Sequence, residues 1–470
     1  MFTLADVATA AEQPVPHGAD DLAMAAAHFD SRRIQPGMLF VALPGARVDG
    51  HDFIGDAFAR GAGAVLCARP DLDQPMGRQV VTAEPQAAFE RLASALRARS
   101  SATFVGVTGS NGKTTTKEAL AAALSAAGPT LATERSENAE VGVPATLSRL
   151  TPAHRYAVVE IGAQVVGEIS HYCSYAKPDV GVITSIAGAH LGLFGSMEAI
   201  ATAKGELFEA LPEHGPAIVN ADDPWSDELR RRAPGPVVSF GRSDAADVRV
   251  SATLLADPPG TRVHIEAGSF CDSVDVPGTA GAIDLAFGAA FAATQALGVD
   301  PATACDGLRA FQPAPHRMRL EALPGGGLLL DDSYNANASS MAVALDTLRA
   351  VSVPGRRIAV LGDMFELGSY GPAAHQQVGR DAAGIDRLLC VGALAAQIAS
   401  GARAAGLEAV DVISADTEDS GSIATAVDAA AAWLHAELAA GDAVLLKASN
   451  GMGFARLVDK VMEAPRRSAG

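Results

Sequence analysis

A glycine-rich turn that ends in a lysine is the strongest chemical signal in the sequence. The run GVTGSNGKTT, residues 106–115, lies between an apolar strand pattern at 103–108 and an Ala/Leu-rich helix pattern at about 113–127. Consecutive backbone N–H groups and the positive end of a helix bind phosphate at such a turn. The alternative is a turn that only begins the helix and leaves Lys113 in solvent. The turn predicts an ATP triphosphate site that comprises Gly109, Ser110, Asn111, Gly112, Lys113, Thr114 and Thr115.

Two further residues are candidates for holding Mg²⁺ beside this turn, where the hydroxyl of Thr114 would also bind the ion. Glu160 ends the strand pattern YAVVE, and His190 follows the strand pattern DVGVITS. Both are expected at the carboxyl edge of a parallel sheet, on the same side as the turn. A carboxylate and an imidazole at that edge are metal ligands. The ordinary alternatives are a solvated strand-end charge for Glu160 and a loop or core residue for His190.

Lys204 lies on the apolar side of a helix predicted over 196–211. Ile200 and Phe208 lie four residues before and after it, so the three share one stripe. A lysine on an inward face is unusual unless it is paired or modified, although its stem can also pack while its amine extends to solvent. Burial beside cations favours the neutral amine, which is the form that reacts with carbon dioxide to give a carbamate.

The third part of the chain places polar residues at the end of a strand pattern. The run DDSYN, residues 331–335, follows LLL, and its acidic and amide groups are well placed to bind a ribose or a base. Asp332 and Asn335 are therefore candidates for nucleotide binding, although the segment also suits an N-cap before Ala338. Arg317 follows a proline-marked linker and is either a cation that reaches a phosphate in the neighbouring domain or an isolated surface arginine.

The elements that must position these residues are predicted from the pattern of the chain. Strand patterns alternate with helix patterns at 103–240 and again after about residue 328, which predicts parallel sheets with helices on their faces. Alternating polar and apolar residues at about 246–276 predict a few antiparallel strands. We predict an α/β protein with a small α/β domain at 1–100, a central P-loop-type mononucleotide-binding parallel sheet with helices on both faces at 101–313, and a Rossmann-like doubly wound domain at 314–470.

The composition narrows the classes of function. Acidic residues outnumber basic ones by 54 to 36, a net charge of −18, which argues against binding nucleic acid or an anionic membrane. The five cysteines are scattered singly, so neither a disulfide framework nor a zinc site is expected. The N-terminus has no signal-peptide pattern, and the longest apolar stretch is interrupted by polar residues. We therefore expect a cytoplasmic protein without membrane insertion.

Together these motifs resemble the Mur ligases, which are ATP-dependent amide-forming enzymes of peptidoglycan precursor synthesis. VTGSNGKTTTKE at 107–118 is similar to the phosphate loop of that family, including its glycine spacing. AHLGLFGSMEAIATAKGE at 189–206 resembles the segment with a metal-binding histidine and a carbamylated lysine. DDSYNAN at 331–337, LGDMFELG at 361–368 and His375 resemble the member that adds D-alanyl-D-alanine. The resemblance covers nearly the whole chain.

The resemblance also implies substrate contacts that the residues alone do not predict. DSR at 30–32 and DGHDFI at 49–54 resemble the uridine-nucleotide domain of the family. This implies that a UDP-linked substrate is bound by Ser31, Arg32, Asp49, Gly50 and His51. Positions for acceptor or substrate binding match Asn138, Lys447 and Ser449. The chain departs from the family where Asn450 replaces an arginine and where Asp284 replaces an adenine-contacting asparagine.

The function implied by the resemblance is the ATP-dependent addition of D-alanyl-D-alanine to UDP-N-acetylmuramoyl-tripeptide through an acyl phosphate. The implied cofactors are ATP, two Mg²⁺ ions and carbon dioxide held as a lysine carbamate, and the implied partners are the two small-molecule substrates of a monomer. Catalytic roles fall to Lys113, His190, Lys204 and Arg317, and metal binding to Thr114, Glu160, His190 and Lys204. The alternatives are a diamino-acid-adding or folylpolyglutamate-type ligase, or a non-catalytic nucleotide-binding regulator. DDSYNAN and LGDMFELG weigh against the other ligases.

Overall fold

Strands and helices alternate along most of the chain in a computed structural model that describes residues 1–16, 21–45 and 48–463. Within these ranges the strands form sheets of two, four, nine and six members. The three larger sheets are wholly or mainly parallel, which confirms the predicted α/β fold class. The boundaries predicted after residues 100 and 313 fall between sheets and stay predictions.

The first region is a small α/β layer. Its elements are β1 (Phe2–Thr3), α1 (Leu4–Ala10), β2 (Ala23–Met24), β3 (Ala27–His28), β4 (Leu39–Val41), α2 (Ile54–Ala59), β5 (Ala64–Cys67), β6 (Gln79–Val81) and α3 (Pro85–Arg99). Strands β3 to β6 form a parallel sheet in sequence order, and β1 pairs antiparallel with β2. Phe89 and Leu92 of α3 are fully buried against the strands. This apolar face holds α3 on the sheet.

The central region is built on the nine-stranded sheet. Its first half comprises β7 (Thr103–Thr108), α4 (Lys113–Ser125), β8 (Thr130–Ala132), α5 (Gly142–Ser148), β9 (Tyr156–Glu160), α6 (Glu168–Ala176), β10 (Val180–Ile183), α7 (Leu191–Phe194) and α8 (Met197–Glu209). Its second half comprises β11 (Ala217–Asn220), α9 (Ser226–Arg232), β12 (Val237–Gly241), β13 (Val248–Ala256), β14 (Pro259–Ala267), β15 (Phe270–Pro277), α10 (Ile283–Ala296) and α11 (Pro301–Arg309).

The order of this sheet is β15-β14-β13-β12-β11-β10-β7-β9-β8. Strands β13, β14 and β15 are antiparallel, as the alternating pattern predicted, and they extend the parallel sheet rather than forming their own. Successive residues of β7 face opposite sides, so Val105 packs with α4 and α10 while Phe104 packs with α6 and α8. The central sheet therefore has helices on both faces, as predicted.

The third region is a doubly wound domain, which confirms the prediction for this part of the chain. Its elements are β16 (Arg319–Ala322), β17 (Leu328–Asp331), α12 (Ala338–Ala350), β18 (Arg357–Gly362), α13 (Gly371–Asp381), β19 (Arg387–Val391), α14 (Ala395–Ala404), β20 (Val410–Ile413), α15 (Ser420–Glu437), β21 (Ala443–Lys447) and α16 (Phe454–Met462). The strand order is β16-β17-β21-β18-β19-β20, with only β16 antiparallel. Apolar clusters cover both faces of this sheet.

The edge strand β16 was not predicted from the sequence, and it forms the joint between the central and third regions. Thr279 and Arg319 form an isolated antiparallel bridge, and Ala280 N donates to Met318 O at 3.1 Å. The segment after β15 thus continues the third sheet for a few residues. Among the described helices, none has the length and apolar character that a membrane span requires.

Candidate active site

Three of the predicted site segments meet at one edge of the central sheet. Strand β7 lies between β10 and β9, and all three are parallel. The glycine-rich turn follows β7, Glu160 ends β9 and His190 follows β10, so their carboxyl ends share one edge. The topology therefore brings the phosphate turn and both candidate metal ligands together, as the sequence predicted.

Two glycines give the turn its shape. Gly109 has φ +143°, and a Cβ at this residue would lie 2.0 Å from Thr184 Oγ1. Gly112 has φ +79° immediately before α4, a left-handed conformation that suits glycine. No side chain caps the first turn of α4. The positive end of that helix therefore faces the site without a competing acceptor from its cap.

Lys113 is the first residue of α4 and bends back over the turn. Its Nζ donates to Gly109 O at 2.7 Å and lies 3.3 Å from Ser110 O. Burial lowers the pKa of Lys113; Glu160 opposes this shift and the charge of Arg317 adds to it. The amine therefore lies over the helix end where a phosphate would bind.

Glu160 is fully buried and is surrounded by neutral donors. Its carboxylate accepts from Thr114 Oγ1 at 3.0 and 3.2 Å and from Asn138 Nδ2 at 2.5 Å. In the described part of the chain no cationic side chain lies within ion-pair distance of it. A buried carboxylate without a counter-charge is costly, so this arrangement suits a cation that is held by Glu160 and Thr114.

His190 lies at the N-terminus of α7 with φ +56° and lines the same cavity. Burial lowers the pKa of His190; the charges of Lys113 and Lys204 lower it further, and Glu366 opposes them. Its Nδ1 contacts Glu366, which belongs to the third region. Lys204 Nζ lies 5.6 Å from the centre of the Phe194 ring, and Phe194 belongs to α7, the helix that begins after His190.

Lys204 differs from the other buried lysines. Lys117 contacts Glu118 and Lys447 contacts Asp332, whereas within the described ranges no carboxylate pairs with Lys204. Its Nζ donates to Ala163 O at 3.3 Å, and the residue is only 2% exposed. Burial, with a contribution from the charge of Lys113, lowers the pKa of Lys204 to about 7. The inward orientation that the helix pattern predicted is confirmed.

The third region supplies the opposite wall of the site. Arg317 donates to Ser136 Oγ of the central region at 2.8 Å, and its guanidinium lies 3.9 Å from the centre of the Tyr334 ring. Lys447 contacts Asp332 and donates to Asn335 O at 2.9 Å. Arg317 therefore contacts the central region. This agrees with the alternative in which Arg317 is a cation that reaches into the neighbouring domain.

A cavity of about 530 Å³ lies between these walls, a size that suits a small-molecule ligand. The predicted site residues that line it are Ser110, Asn111, Gly112, Lys113, Thr114, Thr115, Asn138, Glu160, His190, Arg317, Asp332, Asn335 and Lys447. Gly109, which shapes the turn, and Lys204, which contacts the Phe194 ring of α7, are not among the lining residues. Most of the residues that the sequence predicted to bind ATP or metal thus line one cavity.

Ser449 and Asp284, which were also discussed from the sequence, do not line this cavity either. Ser449 is buried, and its Oγ accepts from Phe365 N at 2.8 Å inside the third region. Asp284 is fully buried and accepts from Arg242 Nε at 2.6 Å and from its terminal nitrogen at 2.9 Å. The residues of α10 that line the cavity are instead its neighbours Ile283, Leu285 and Ala286.

The cavity also includes contacts between regions that the sequence did not assign. Asn337 Nδ2 donates to Asn111 Oδ1 at 2.7 Å, and Asn111 Nδ2 donates to Ser339 Oγ at 2.7 Å. Ser136 receives the bond from Arg317. Asn337 belongs to the DDSYNAN motif, so that motif was the available signal for it, whereas Ser136 and Ser339 carry no sequence signal of their own.

The five residues implied for a UDP-linked substrate lie in the first region, away from this cavity. The turns at 31–33 and 50–53 follow the carboxyl ends of the neighbouring parallel strands β3 and β4. Asp49 Oδ1 accepts from His51 N at 3.0 Å, and Asp49 Oδ2 accepts from Arg69 at 2.5 Å. The members of this set are Ser31, which is buried, Arg32, which is largely exposed, and Asp49, Gly50 and His51. Arg69 follows β5 at the same edge and was not predicted.

The residues present fit a nucleotide with Mg²⁺. An uncapped helix end and Lys113 suit a triphosphate, and the unpaired carboxylate of Glu160 suits a cation. Among the described residues no three His, Cys, Asp or Glu side chains group into a metal cage. Mg²⁺ characteristically takes one or two protein carboxylates and completes its shell with waters and substrate phosphates. Thr114, Glu160 and His190 are the residues that would hold it.

Comparison with protein families defines the class to which this fold and site belong. The Mur ligase family catalytic domain matches residues 26–101, the Mur ligase middle domain matches 107–292, and the Mur ligase glutamate ligase domain matches 316–450. The chain belongs to the Mur ligase family and is an ATP-dependent ligase, which confirms the resemblance seen in the motifs.

Individual relatives show which members of the family this chain resembles. The UDP-N-acetylmuramoyl-tripeptide–D-alanyl-D-alanine ligase of Escherichia coli K12 is 40% identical over 381 residues, which cover 79% of this chain and 82% of that protein. The crystal structure of MurF from Acinetobacter baumannii matches with a TM-score of 0.83 and 29% identity over 98% of this chain and 99% of that one. MurF ligase from Thermotoga maritima in complex with ADP matches with a TM-score of 0.77 and 28% identity over 94% and 98%.

Proposed function

We propose that this protein joins D-alanyl-D-alanine to UDP-N-acetylmuramoyl-tripeptide at the expense of ATP, forming ADP and phosphate. The observation that carries the proposal is the cavity in which Lys113, Glu160 and His190 of the central region face Arg317 and Asp332 of the third. The 40% identity to a ligase with this name supports the choice of substrates. DDSYNAN and LGDMFELG support it over the other members of the superfamily.

In the first step the terminal carboxylate of the tripeptide attacks the γ-phosphorus of ATP. A carboxylate–phosphorus bond forms, the bond to the β-phosphate oxygen breaks, and ADP leaves. Such transfer requires alignment and charge stabilisation more than covalent help from the protein. Lys113 and the N-terminus of α4 bind the phosphates, and Arg317 brings a second cation from the opposite wall.

In the second step the free amine of D-alanyl-D-alanine attacks the acyl carbon of the acyl phosphate. The new amide forms, phosphate leaves, and the amine releases a proton. Water would hydrolyse the acyl phosphate, so the third region must close over the central one during this step. The hydrogen bonds between Asn111, Asn337 and Ser339 support such a closed arrangement.

Metal binding in this proposal falls to Thr114, Glu160, His190 and Lys204, with two Mg²⁺ ions. When bound, Mg²⁺ supplies positive charge to the phosphoryl oxygens. Lys204 would take part as a carbamate, in which the amine nitrogen bonds to the carbon of carbon dioxide and loses a proton. This reaction replaces a cation with an anionic oxygen ligand. The support is the burial of Lys204, its lack of a carboxylate partner in the described chain, and its contact with Phe194 of α7, the helix that begins after His190.

The uridine end of the substrate is assigned to the first region, to the edge that carries Ser31, Arg32, Asp49, Gly50 and His51. Support comes from the topology, because two neighbouring parallel strands end there. Arg69 adds a cation beside Asp49. Arg32 pairs with Asp30 and is largely exposed, so its guanidinium is accessible to a diphosphate. Asn138 and Lys447, which line the main cavity, are assigned to the peptide end of the substrates.

One assay tests the main proposal. The protein is incubated with ATP, Mg²⁺, UDP-N-acetylmuramoyl-tripeptide and D-alanyl-D-alanine, and phosphate release and product mass are measured. We expect phosphate release that requires both co-substrates and a product heavier by the dipeptide minus water. Turnover with a diamino acid or glutamate instead would indicate another ligase of the superfamily. Nucleotide binding without any turnover would indicate a regulator.

A separate experiment tests the carbamate. With ¹³C-bicarbonate, we expect a carbamate carbon signal in the NMR spectrum of the wild type that is lost in Lys204→Ala, together with most of the activity. Added bicarbonate should not restore that variant. Lys460→Ala, which changes a partly exposed lysine that pairs with Asp428 outside the cavity lining, is the matched control. Near-normal turnover of Lys204→Ala would overturn the carbamate assignment.

We also propose that the enzyme acts as a cytoplasmic monomer. The central and third regions of one chain enclose the main cavity, which supports a site that a single chain can complete. Light scattering after gel filtration, with and without the substrates, tests this assignment, and a dimer as the active species would contradict it.

A further inference from the structure

A loop of the third region crosses to the candidate metal histidine of the central region. This loop, residues 363–371, joins β18 to α13. Glu366 contacts His190 Nδ1 through its carboxylate, and Glu366 O accepts from Gly192 N at 3.0 Å. A Cβ at Gly192 would lie 2.6 Å from Gly368 N, so the two backbones meet closely. The contact therefore involves both side chain and backbone.

The contacting residues hold unusual backbone conformations. His190 has φ +56° and Glu366 has φ +61°, although neither is glycine. Left-handed conformations are uncommon for such residues and persist only where the surrounding structure enforces them. Both residues adopt this conformation where the two regions touch. The two turns therefore present His190 and Glu366 to each other in defined directions.

The 363–371 loop is fixed from inside the third region by a buried imidazole. His375 Nε2 accepts from Met364 N at 2.9 Å, and its Nδ1 donates to Gly371 O at 2.7 Å. One ring thus ties the two ends of the loop together. Ser449 Oγ accepts from Phe365 N, next to Glu366. The loop that carries Glu366 is therefore anchored at three backbone positions.

The chemistry of the contact determines which nitrogen of His190 is free. An ionised carboxylate can only accept hydrogen bonds, so Nδ1 of His190 must carry the proton that it donates to Glu366. The lone pair of the neutral ring is then on Nε2. Histidines that bind metals commonly have their other ring nitrogen held in this way, and that partner fixes both tautomer and orientation.

We propose that Glu366 is a positioning residue that acts across the two regions, holding His190 with Nε2 available to Mg²⁺ when the third region closes. The inference rests on the proposed function, because it takes His190 as a ligand of the Mg²⁺ that accompanies ATP. It goes further by making that ligand depend on a residue of another region. Closure of the third region then raises the affinity for Mg²⁺, and bound Mg²⁺ stabilises the closed arrangement by the same free energy, because coupling between two equilibria is reciprocal.

The first test measures binding rather than turnover. The dissociation constant of a non-hydrolysable ATP analogue is determined over a series of free Mg²⁺ concentrations, using the full-length protein. Loss of a residue that orients a metal-bound histidine weakens metal affinity by roughly 10–100-fold. We expect Glu366→Gln to raise the half-saturating Mg²⁺ concentration by roughly tenfold, the lower end of that range. Glu408→Gln, at an exposed carboxylate of the same region, should match the wild type.

The outcomes separate this inference from the proposed function. Mg²⁺-dependent binding of the analogue by the wild type, with an unchanged Mg²⁺ requirement in Glu366→Gln, would overturn the role of Glu366 alone. Failure of the wild type to bind the analogue with Mg²⁺ would overturn both. Thermal unfolding of the Glu366→Gln variant should match the wild type, because the backbone bond from Gly192 is retained.

A second experiment asks whether Glu366 acts through His190. In a His190→Ala background, adding Glu366→Gln should leave the Mg²⁺ requirement unchanged. A further weakening would mean that Glu366 binds the metal itself and would overturn the positioning role. The ¹⁵N shifts of the His190 ring should report a single tautomer with Nδ1 protonated in the wild type bound to the ATP analogue. They should report a mixture in Glu366→Gln, and an unchanged tautomer there would contradict the proposal.

Discussion

The central region meets its two neighbours through contacts of different kinds. Towards the first region, all seven residues of α5 are buried and Ala145 belongs to the apolar core of that region. Ala93 of α3 in turn belongs to a core of the central region. We call this contact the apolar seam. Towards the third region, Leu254 of β13 packs against the apolar core of that region, but the side-chain contacts beside the cavity are polar, and we call these contacts the polar seam.

The polar seam includes side-chain hydrogen bonds, one carboxylate–imidazole contact and the backbone bond from Gly192 N to Glu366 O. Its side-chain pairs include Asn111 with Asn337 and Ser339, Ser136 with Arg317, and His190 with Glu366. Exchange of such bonds with water costs little, because each contributes only about 0.5–1.5 kcal/mol net. Burial of apolar surface, by contrast, is lost in full when a seam opens. From this difference we predict that the first and central regions stay together as one unit while the third region opens and closes over them.

We expect the largest effect from substitution of Lys113, which lies beside the polar seam where the phosphates would bind. Lys113→Ala should lower kcat by about 10²–10³, because a positioned charge is removed from the phosphoryl groups. Its unfolding free energy should stay close to that of the wild type, since Lys113 contacts only the backbone of its own turn. Steady-state kinetics and chemical denaturation measure the two effects. A kcat within a few-fold of the wild type would refute the phosphate-turn assignment, and Lys460→Ala serves as the control.

A substitution in the apolar seam should lower the free energy of unfolding and leave catalytic activity unchanged. Ser148 is fully buried in α5, and its Oγ accepts from Ala27 N of the first region at 2.9 Å. Ser148→Ala leaves that buried N–H without its acceptor, which should cost about 1–3 kcal/mol of unfolding free energy. Denaturant titration measures the loss, and kcat at permissive temperature should be unchanged. Ser125→Ala, at an exposed serine that bonds only within α4, is the matched control.

A serine-to-alanine substitution in the polar seam should instead weaken ATP binding and leave the free energy of unfolding nearly unchanged. Ser339→Ala removes the hydrogen bond from Asn111 at an exposed position. A net loss of about 0.5–1.5 kcal/mol from the closed arrangement corresponds to roughly a two- to tenfold rise in the KM for ATP. The unfolding free energy should stay within about 0.5 kcal/mol of the wild type, as for most surface substitutions. A stability loss equal to that of Ser148→Ala, with KM unchanged, would show that the seams do not differ.

Much of this arrangement follows from sequence, and the reasons can be given residue by residue. Lys113, Glu160 and His190 each follow a strand pattern, and parallel strands place such residues at one edge by topology alone. The inward face of Lys204 follows from helical spacing, since residues four apart share a face. In these cases a local pattern is enough to predict where the side chain lies, because the regular geometry of the sheet or the helix fixes its position.

Contacts between regions could not be predicted in this way. His190 and Glu366 are 176 residues apart, and no local pattern indicates which loops of two domains face each other. The short edge strand β16 was missed because RLEA gives neither a long apolar run nor a clear alternation. Ser449 was assigned to substrate by resemblance, but its hydroxyl is used to hold Phe365 inside the third region. Such roles depend on packing, which spacing does not encode.

The smallest effect is expected at the solvent-facing rim of the apolar seam, where Arg33 contacts Glu134 and Glu137 of the central region. Burial opposes ionisation of Glu137, but His28, Arg33 and Arg149 together hold the pKa of its carboxyl below its usual value. Arg33→Ala should therefore cost less than about 1 kcal/mol near neutral pH, because partly exposed pairs are screened by solvent.

The pH dependence of this loss identifies its cause. A carboxyl whose pKa is lower in the folded than in the unfolded protein stabilises the fold above its unfolded pKa, and that stability disappears as pH falls through the folded pKa. The difference between the wild type and Arg33→Ala should therefore shrink as Glu137 is protonated below its usual pKa of 4.5. Denaturation at neutral and acidic pH measures the change, with Arg60→Ala, an exposed arginine of the same region, as control. A penalty that persists undiminished in acid would assign the contribution of Arg33 to packing, and the rim would then belong with the buried part of the apolar seam.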